Sequence, residues 1–153
     1  MNEARPITEA ASKARLRLWL RLLKATRAIE GELRERLRAE HGSTLPRFDV
    51  LSALERNPGG LRMSALSAAL RVSNGNVTGI VERLAAEGLV ERRAVEGDRR
   101  AFEVRLTEAG AEAFAAMAAA HESWIDRRLA ALSPEEAEAL SRRLDDVTRQ
   151  GAA

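Results

Sequence analysis

The hydrophobic period of the chain changes at Gly88. In the segment NGNVTGIVERLAAEG, which ends at this glycine, the apolar residues recur at helical spacing: Val77, Ile80, Val81 and Leu84. In the segment that follows, LVERRAVEGDRRAFEVRL, apolar and polar residues alternate. The pattern predicts a helix closed by Gly88 and then two antiparallel strands, residues 89–95 and 102–106, joined by a charged tip.

Further short helices precede the strands. The segment MSALSAALRV has apolar residues at helical spacing, and Ser73 opens the helix that ends at Gly88. Upstream, Thr44 predicts a helix N-cap and Pro46 lies in the first turn of that helix. Two short helices joined by a tight turn are typical of a helix-turn-helix, and the hairpin after them predicts a winged helix-turn-helix.

Long helices flank this region on both sides. Residues 13–40 carry a wide apolar face, made of Leu16, Leu18, Trp19, Leu20, Leu22, Leu23, Ile29, Leu33 and Leu37. A face that wide needs two surfaces, the core of the domain and a second subunit, unless the helix is buried entirely within its own chain. Thr107 predicts the cap of a later helix, and Ser133 with Glu136 predicts a capping box for the last one. The expected fold class is mainly α (α+β), with long N- and C-terminal helices and a two-stranded wing.

Composition narrows the classes of protein. The chain has 153 residues and no cysteine, which predicts one domain over 1–153 and excludes disulfides and thiolate chemistry. The N-terminus lacks the apolar core of a signal peptide and no stretch is long enough to span a bilayer, so we expect a cytoplasmic protein with no membrane partner. Residues 13–40 hold nine basic and four acidic side chains, whereas residues 107–149 hold five and nine. Aromatic residues make up 3% of the chain, too few for a platform that stacks single-stranded bases.

The outward face of the helix before Gly88 is polar and small. It consists of Asn74, Gly75, Asn76, Thr78, Gly79 and Arg83. Each interior glycine costs a helix about 1 kcal/mol relative to alanine, so close approach of a DNA backbone or base edge would explain Gly75 and Gly79. The alternative is that the fold merely tolerates them.

Three segments resemble the multiple antibiotic resistance regulator (MarR) family over about residues 15–148. The segment GDRRAFEVRLTEAG is similar to the wing pattern D-x-R followed by L-T-x-x-G, RLAAEGLVERR to the stretch that joins recognition helix and wing, and TLPRFDVLSAL to the segment before the helix-turn-helix. The resemblance implies a homodimer joined through helices 13–42 and 108–150, with a winged helix-turn-helix at 44–106 that binds a pseudo-palindromic double-stranded DNA operator. It also implies a repressor that releases DNA when a small aromatic acid or phenol binds. The family often has a basic residue where this chain has Gly79, which puts a DNA contact there in doubt.

The expected DNA-binding residues come from the recognition helix and the wing. They are Arg71, Ser73, Asn74, Gly75, Asn76, Thr78, Arg83, Asp98, Arg99 and Arg100. By its match to the motif, Arg100 is expected to enter the minor groove, while Asp98 orders the turn by hydrogen bonding. Arg99 fits a solvated loop equally well. Arg92 is either a phosphate contact or, like Arg93, a member of a surface ion pair.

The expected ligand contacts are Arg15, Trp19, His41 and Phe48, the aromatic members of which fit core or subunit-interface packing equally well. The two histidines have no partner at metal-ligand spacing, so no metal and no cofactor are expected. An enzyme is disfavoured because the chain lacks cysteine, tyrosine and a glycine-rich phosphate loop. The remaining alternatives are a winged helix that binds protein rather than DNA, and a regulator without an effector pocket.

Overall fold

The computed structural model describes residues 8–70 and 74–150. Six helices and three strands follow one another in these ranges: α1 (Glu9–His41), α2 (Leu45–Glu55), β1 (Leu61–Arg62), α3 (Met63–Leu70), α4 (Asn74–Ala86), β2 (Val90–Val95), β3 (Asp98–Leu106), α5 (Glu108–Arg128) and α6 (Pro134–Gln150). The mainly helical class with a small antiparallel sheet is therefore confirmed. The chain divides into two compact units, Met1–Ala118 and Ala119–Ala153, with the boundary inside α5.

Local capping signals fix the helix ends. The hydroxyl of Thr44 accepts a hydrogen bond from the Arg47 N–H at 3.3 Å and begins α2, as predicted. The first helix begins at Glu9 rather than near residue 13, because the side chain of Thr8 accepts from the Ala11 N–H at 3.2 Å and caps it there. It ends at Gly42, whose φ of 58° is the left-handed conformation that closes many helices.

The sheet has three antiparallel strands in the order β1–β3–β2. The short strand β1 pairs Leu61 with Val104 and was not predicted, because two residues carry no alternation of their own. The hairpin β2–β3 is the predicted wing, but β3 begins at Asp98 instead of Phe102. The pairing register shifts between Ala94, which faces Phe102, and Val95, which faces Asp98. Residues 99–101 therefore lie between two paired positions of β3.

The core of the first unit lies beneath the helix-turn-helix and the sheet. Its fully buried side chains come from α1, α2, α3, α4 and β3, namely Leu37, Val50, Leu51, Leu54, Leu66, Val77, Val81, Leu84 and Val104. The inward stripe predicted for α4 is thus confirmed, with Ile80 also buried at 8% exposure. Burying one face of α4 leaves its opposite, polar face directed outward.

The last helix, α6, begins with the predicted capping box. The Ser133 N–H donates to the Glu136 carboxylate at 2.8 Å, and the Glu136 N–H donates to the Ser133 hydroxyl at 3.2 Å. Hydrogen bonds from its own backbone N–H and from Ser133 lower the pKa of the neighbouring Glu135. No residue of α6 is buried, although Leu140, Leu144 and Val147 form an apolar stripe along it.

Candidate nucleic-acid interface

The recognition helix α4 presents the residues that the sequence assigned to its outer face. Asn76, Thr78 and Arg83 are all exposed. Asn74 and Gly75 are the first two residues of the helix. Arg71 and Ser73, which were also expected to contact DNA, lie outside the described residues. The described part of α4 therefore has a buried apolar face and, opposite it, an exposed polar face.

Gly79 lies on α4 in open space. A Cβ built on it would meet only the Arg83 guanidinium, at 4.0 Å. Alanine therefore fits at this position as far as the described residues are concerned, and helix propensity would favour it. The fold gives no internal reason for the glycine, which leaves close approach by a partner or simple tolerance as its explanation.

The wing carries Arg99 and Arg100, both exposed, at its outer end. The Arg100 N–H donates to a carboxylate oxygen of Asp98 at 3.0 Å, which is the ordering bond expected of that aspartate. Gly97, with φ of 86°, supplies the turn that precedes β3. Asp98, Arg99 and Arg100 were expected in the loop at the tip of the wing. They belong to β3 instead, because the register shift brings Asp98 opposite Val95.

A cleft of about 350 Å³ separates the wing from the start of α3. It is lined by Arg62, Met63 and Ser64 on one side and by Asp98, Arg100, Ala101 and Phe102 on the other. Sequence reasoning missed Arg62, because its neighbourhood with Arg100 depends on β1 pairing with β3. Arg62 and Arg100 both line this cleft and give it positive charge, which the Asp98 carboxylate partly offsets.

The other arginines of the wing are engaged with neighbouring groups. The Arg92 guanidinium lies 5.6 Å from the centre of the Phe102 ring and 4.0 Å from the Glu82 carboxylate. Arg93 pairs with Glu91 at 3.0 Å. For both residues the geometry favours the surface-pair alternative over a free phosphate contact. Arg99 and Arg100 form no ion pair with any of the residues described in the structure.

The four residues expected to contact a ligand do not form one site within a single chain. Trp19 is 56% exposed near the start of α1, and His41 is its last residue. A helix rises 1.5 Å per residue, so the two are about 33 Å apart along the axis and Arg15 is farther still. Phe48 is buried, with its ring centre 5.4 Å from that of Phe114, and therefore belongs to the core. Residue type alone does not give the position of a side chain along the helix, and the ligand contacts stay a prediction.

Residues 8–70 and 74–150 show neither a metal site nor a membrane span. No group of three or more histidine or acidic side chains in these ranges is arranged to hold a metal ion. None of the helices there combines the length and apolar character needed to cross a membrane.

Comparison with known proteins identifies relatives of the whole winged-helix region. A family model described as MarR family matches residues 41–101. The chain is 32% identical to the HTH-type transcriptional regulator YfiV of Bacillus subtilis over 86% of this chain and 81% of that protein. It is 30% identical to the transcriptional repressor MprA of Escherichia coli over 78% of this chain and 66% of MprA. The crystal structure of a MarR family transcriptional regulator from Silicibacter pomeroyi has 33% identity and a TM-score of 0.75, covering 94% of this chain and 99% of the other.

Proposed function

This chain belongs to the MarR family of transcriptional regulators, and from that premise we propose that it is a homodimeric, sequence-specific repressor that binds double-stranded DNA. Its relatives are transcriptional regulators and not enzymes. The observation that carries the proposal is the pairing, within one winged helix, of an exposed polar face on α4 with an arginine wing ordered by Asp98. The relationship to a transcriptional repressor supports repression as the mode of action.

The DNA contacts divide into base readout and phosphate binding. Asn76 and Thr78 have the side chains and exposure to reach base edges in the major groove, where an asparagine can pair with adenine through two hydrogen bonds. Arg100 enters the neighbouring minor groove, whose negative potential attracts a guanidinium. Arg83 and Arg62 bind phosphates and contribute affinity without sequence preference. The contacts expected of Arg71, Ser73, Asn74, Gly75 and Arg99 are part of the same proposal.

A second copy of the chain covers the apolar residues at the ends of the molecule. On α1, the side chains of Leu16, Leu18, Trp19 and Leu20 are between 53% and 57% exposed. On α6, those of Leu140, Leu144 and Val147 are between 45% and 67% exposed. Several large apolar side chains exposed along one helix are a common mark of an interaction site, and the family resemblance points to the same chain as the partner. Two-fold symmetry then pairs two recognition helices for a pseudo-palindromic operator in the cytoplasm.

Release from DNA by a small aromatic acid or phenol is the final part of the proposal, and it rests on the family resemblance. Arg15 and Trp19 of one protomer lie too far along α1 to share a ligand with His41 of the same protomer. A pocket that contains both ends of this helix therefore needs residues from both protomers. The ligand shifts the equilibrium only if it binds the DNA-free form more tightly than the DNA-bound form.

Selection of genomic DNA fragments by the purified protein, followed by sedimentation with the recovered duplex, tests the DNA and dimer proposals. We expect a dimer that binds a pseudo-palindrome with half-sites about 10 bp apart. Equal affinity for one half-site and for the full palindrome, or a monomer at micromolar concentration, contradicts the proposal. Failure to select any sequence, together with capture of a protein partner, favours the protein-binding alternative.

Titration with benzoates, salicylate and hydroxycinnamates tests the effector. Trp19 and Trp124 are the two tryptophans of the chain, and Trp124 is only 3% exposed, so Trp124→Phe isolates the signal of Trp19. Quenching of Trp19 together with release of the selected duplex supports the pocket. Intact DNA binding without quenching across the panel identifies a regulator that does not respond to this class of ligand.

A further inference from the structure

The end of the recognition helix is fastened to the beginning of α5 by one side chain. The Thr107 hydroxyl donates to the Gly88 carbonyl at 2.6 Å and accepts from the Gly110 N–H at 3.0 Å. The Thr107 N–H donates to the Leu89 carbonyl at 3.2 Å. Gly88, Leu89, Thr107 and Gly110 together form what we call the α4–α5 junction. Two successive carbonyls at the end of α4 are thus bound by the residue that caps α5.

Gly110 makes the junction close. A Cβ built on it would lie well inside van der Waals contact with the Leu89 carbonyl oxygen, and a side chain of Leu106 would also crowd it. The first turn of α5 therefore rests directly on the backbone that leaves α4. Gly88, with φ of 75°, closes α4, and the Leu89 N–H returns to the Leu84 carbonyl at 3.0 Å. Backbone contacts and the Thr107 hydroxyl together therefore define the chain direction after the recognition helix.

We propose that Thr107 is a positioning residue for DNA recognition: its hydroxyl holds the C-terminal end of α4 at a fixed angle to α5, and thereby sets operator affinity without touching DNA. This inference rests on the proposed function. Gly88 lies twelve residues beyond Asn76, roughly 18 Å along the chain axis, so the junction is at the far end of α4 from the proposed base contacts. A small rotation there displaces the base-reading residues at the other end. The junction also connects α4 to a helix that the family resemblance assigns to the subunit interface.

Three substitutions distinguish between the two hydrogen bonds that the Thr107 hydroxyl makes. Thr107→Ser keeps the donor to Gly88 and the acceptor for Gly110. Thr107→Asp keeps an acceptor that caps α5 but loses the donor to Gly88, since a carboxylate only accepts. Thr107→Val keeps the shape and loses both. Each protein is tested on the duplex recovered by selection with the parent protein and on a random duplex of the same length.

We expect Thr107→Val and Thr107→Asp to lower the ratio of affinities for the selected and random duplexes by about tenfold, the effect of one well-placed hydrogen bond, and Thr107→Ser to keep it. Amide exchange at Gly88 and Leu89 should be faster in Val and Asp, with or without DNA. The negative charge added in Thr107→Asp weakens binding to both duplexes, so it cancels in the ratio of the two affinities. A parent-like ratio for Thr107→Asp overturns the proposal, because then only the cap of α5 matters.

Gly110→Ala provides an independent variant, with Gly31→Ala as its control because a Cβ on Gly31 meets nothing within 4 Å. We expect Gly110→Ala to lower the affinity ratio and Gly31→Ala to leave it unchanged. If Gly110→Ala does not fold, the three Thr107 variants still decide. If the parent protein binds the two duplexes equally well, the proposed function is wrong. If amide exchange is unchanged in Thr107→Val and Thr107→Asp, the positioning role of Thr107 is wrong, whatever the outcome for the proposed function.

Discussion

The winged helix and the end helices distribute their apolar side chains in opposite ways. In the winged helix, Leu51, Leu84 and Val104 are fully buried, and the exposed face of α4 is polar. In α6 no residue is buried, and near the start of α1 the side chains of Leu16, Leu18 and Leu20 are more than half exposed. The winged helix therefore completes its core within the chain. The end helices leave apolar side chains in contact with water, which is unfavourable in free energy. The difference shows which part of the molecule completes its own core and which part leaves apolar side chains exposed.

The largest expected effect separates a core leucine from an end-helix leucine. Leu51→Ala should cost about 2–5 kcal/mol of unfolding free energy, because it leaves a cavity in a packed core. Leu140→Ala, at a position 50% exposed, should cost less than about 0.5 kcal/mol in an isolated chain, and more, with a dependence on protein concentration, in a dimer. Urea unfolding at two protein concentrations measures both. A concentration-independent result for Leu140→Ala contradicts the role proposed for a second copy at α6.

The next effect concerns the charges that the winged helix exposes in place of apolar groups. Arg100→Ala should weaken binding to the selected duplex by about 1–3 kcal/mol and lower the salt slope by about one ion, with melting unchanged. Arg99→Ala is the matched control, since the two arginines are neighbours and both are exposed. Binding isotherms at several salt concentrations give both quantities. Equal losses from the two variants would show that the wing contributes general charge and not a positioned side chain.

The smallest expected effect compares one glycine from each region. Gly79 in α4 and Gly31 in α1 both have room for a methyl group, so alanine at either position should stabilise its helix by about 1 kcal/mol. Only Gly79→Ala should also weaken DNA binding, because only Gly79 lies on the proposed contact face. Thermal melting and duplex titration of the two variants test this. Unchanged DNA binding by Gly79→Ala would mean that the fold tolerates this glycine without using it.

Much of the proposed interface could be predicted because its signals are local. The inward stripe of α4, its closure at Gly88 and the caps at Thr44 and Thr107 each depend on residues within one or two turns. The order imposed by Asp98 on Arg100 is also local, since the two are separated by one residue. The contribution of Arg62 could not be predicted, because Arg62 and Arg100 line the same cleft only once β1 has paired with β3, a distant segment of the chain.

How the predicted ligand residues are arranged also depends on distant parts of the fold. The sequence grouped four residues by side-chain chemistry: Arg15, Trp19, His41 and Phe48. In the structure Trp19 and His41 lie far apart along α1, and Phe48 packs against Phe114 in the core. Residue type indicates what a side chain binds, and only its place in the fold indicates which other groups bind with it. A single pocket that contains both ends of α1 requires the second protomer of the proposed dimer.

By itself, the sequence determined the element types, the inward face of α4 and the charged wing, because hydrophobic period, caps and turn residues act over a few positions. Only the tertiary structure decided the register shift at Ala94, the strand β1, the cleft between Arg62 and Arg100, and the bond from Thr107 to Gly88. The strand β1, the cleft and the Thr107 bond join residues far apart in the chain, and the register shift depends on how the two strands of the hairpin pair. Their geometry follows from how buried faces pack against one another, and pairing between distant segments leaves no periodic mark on either segment alone.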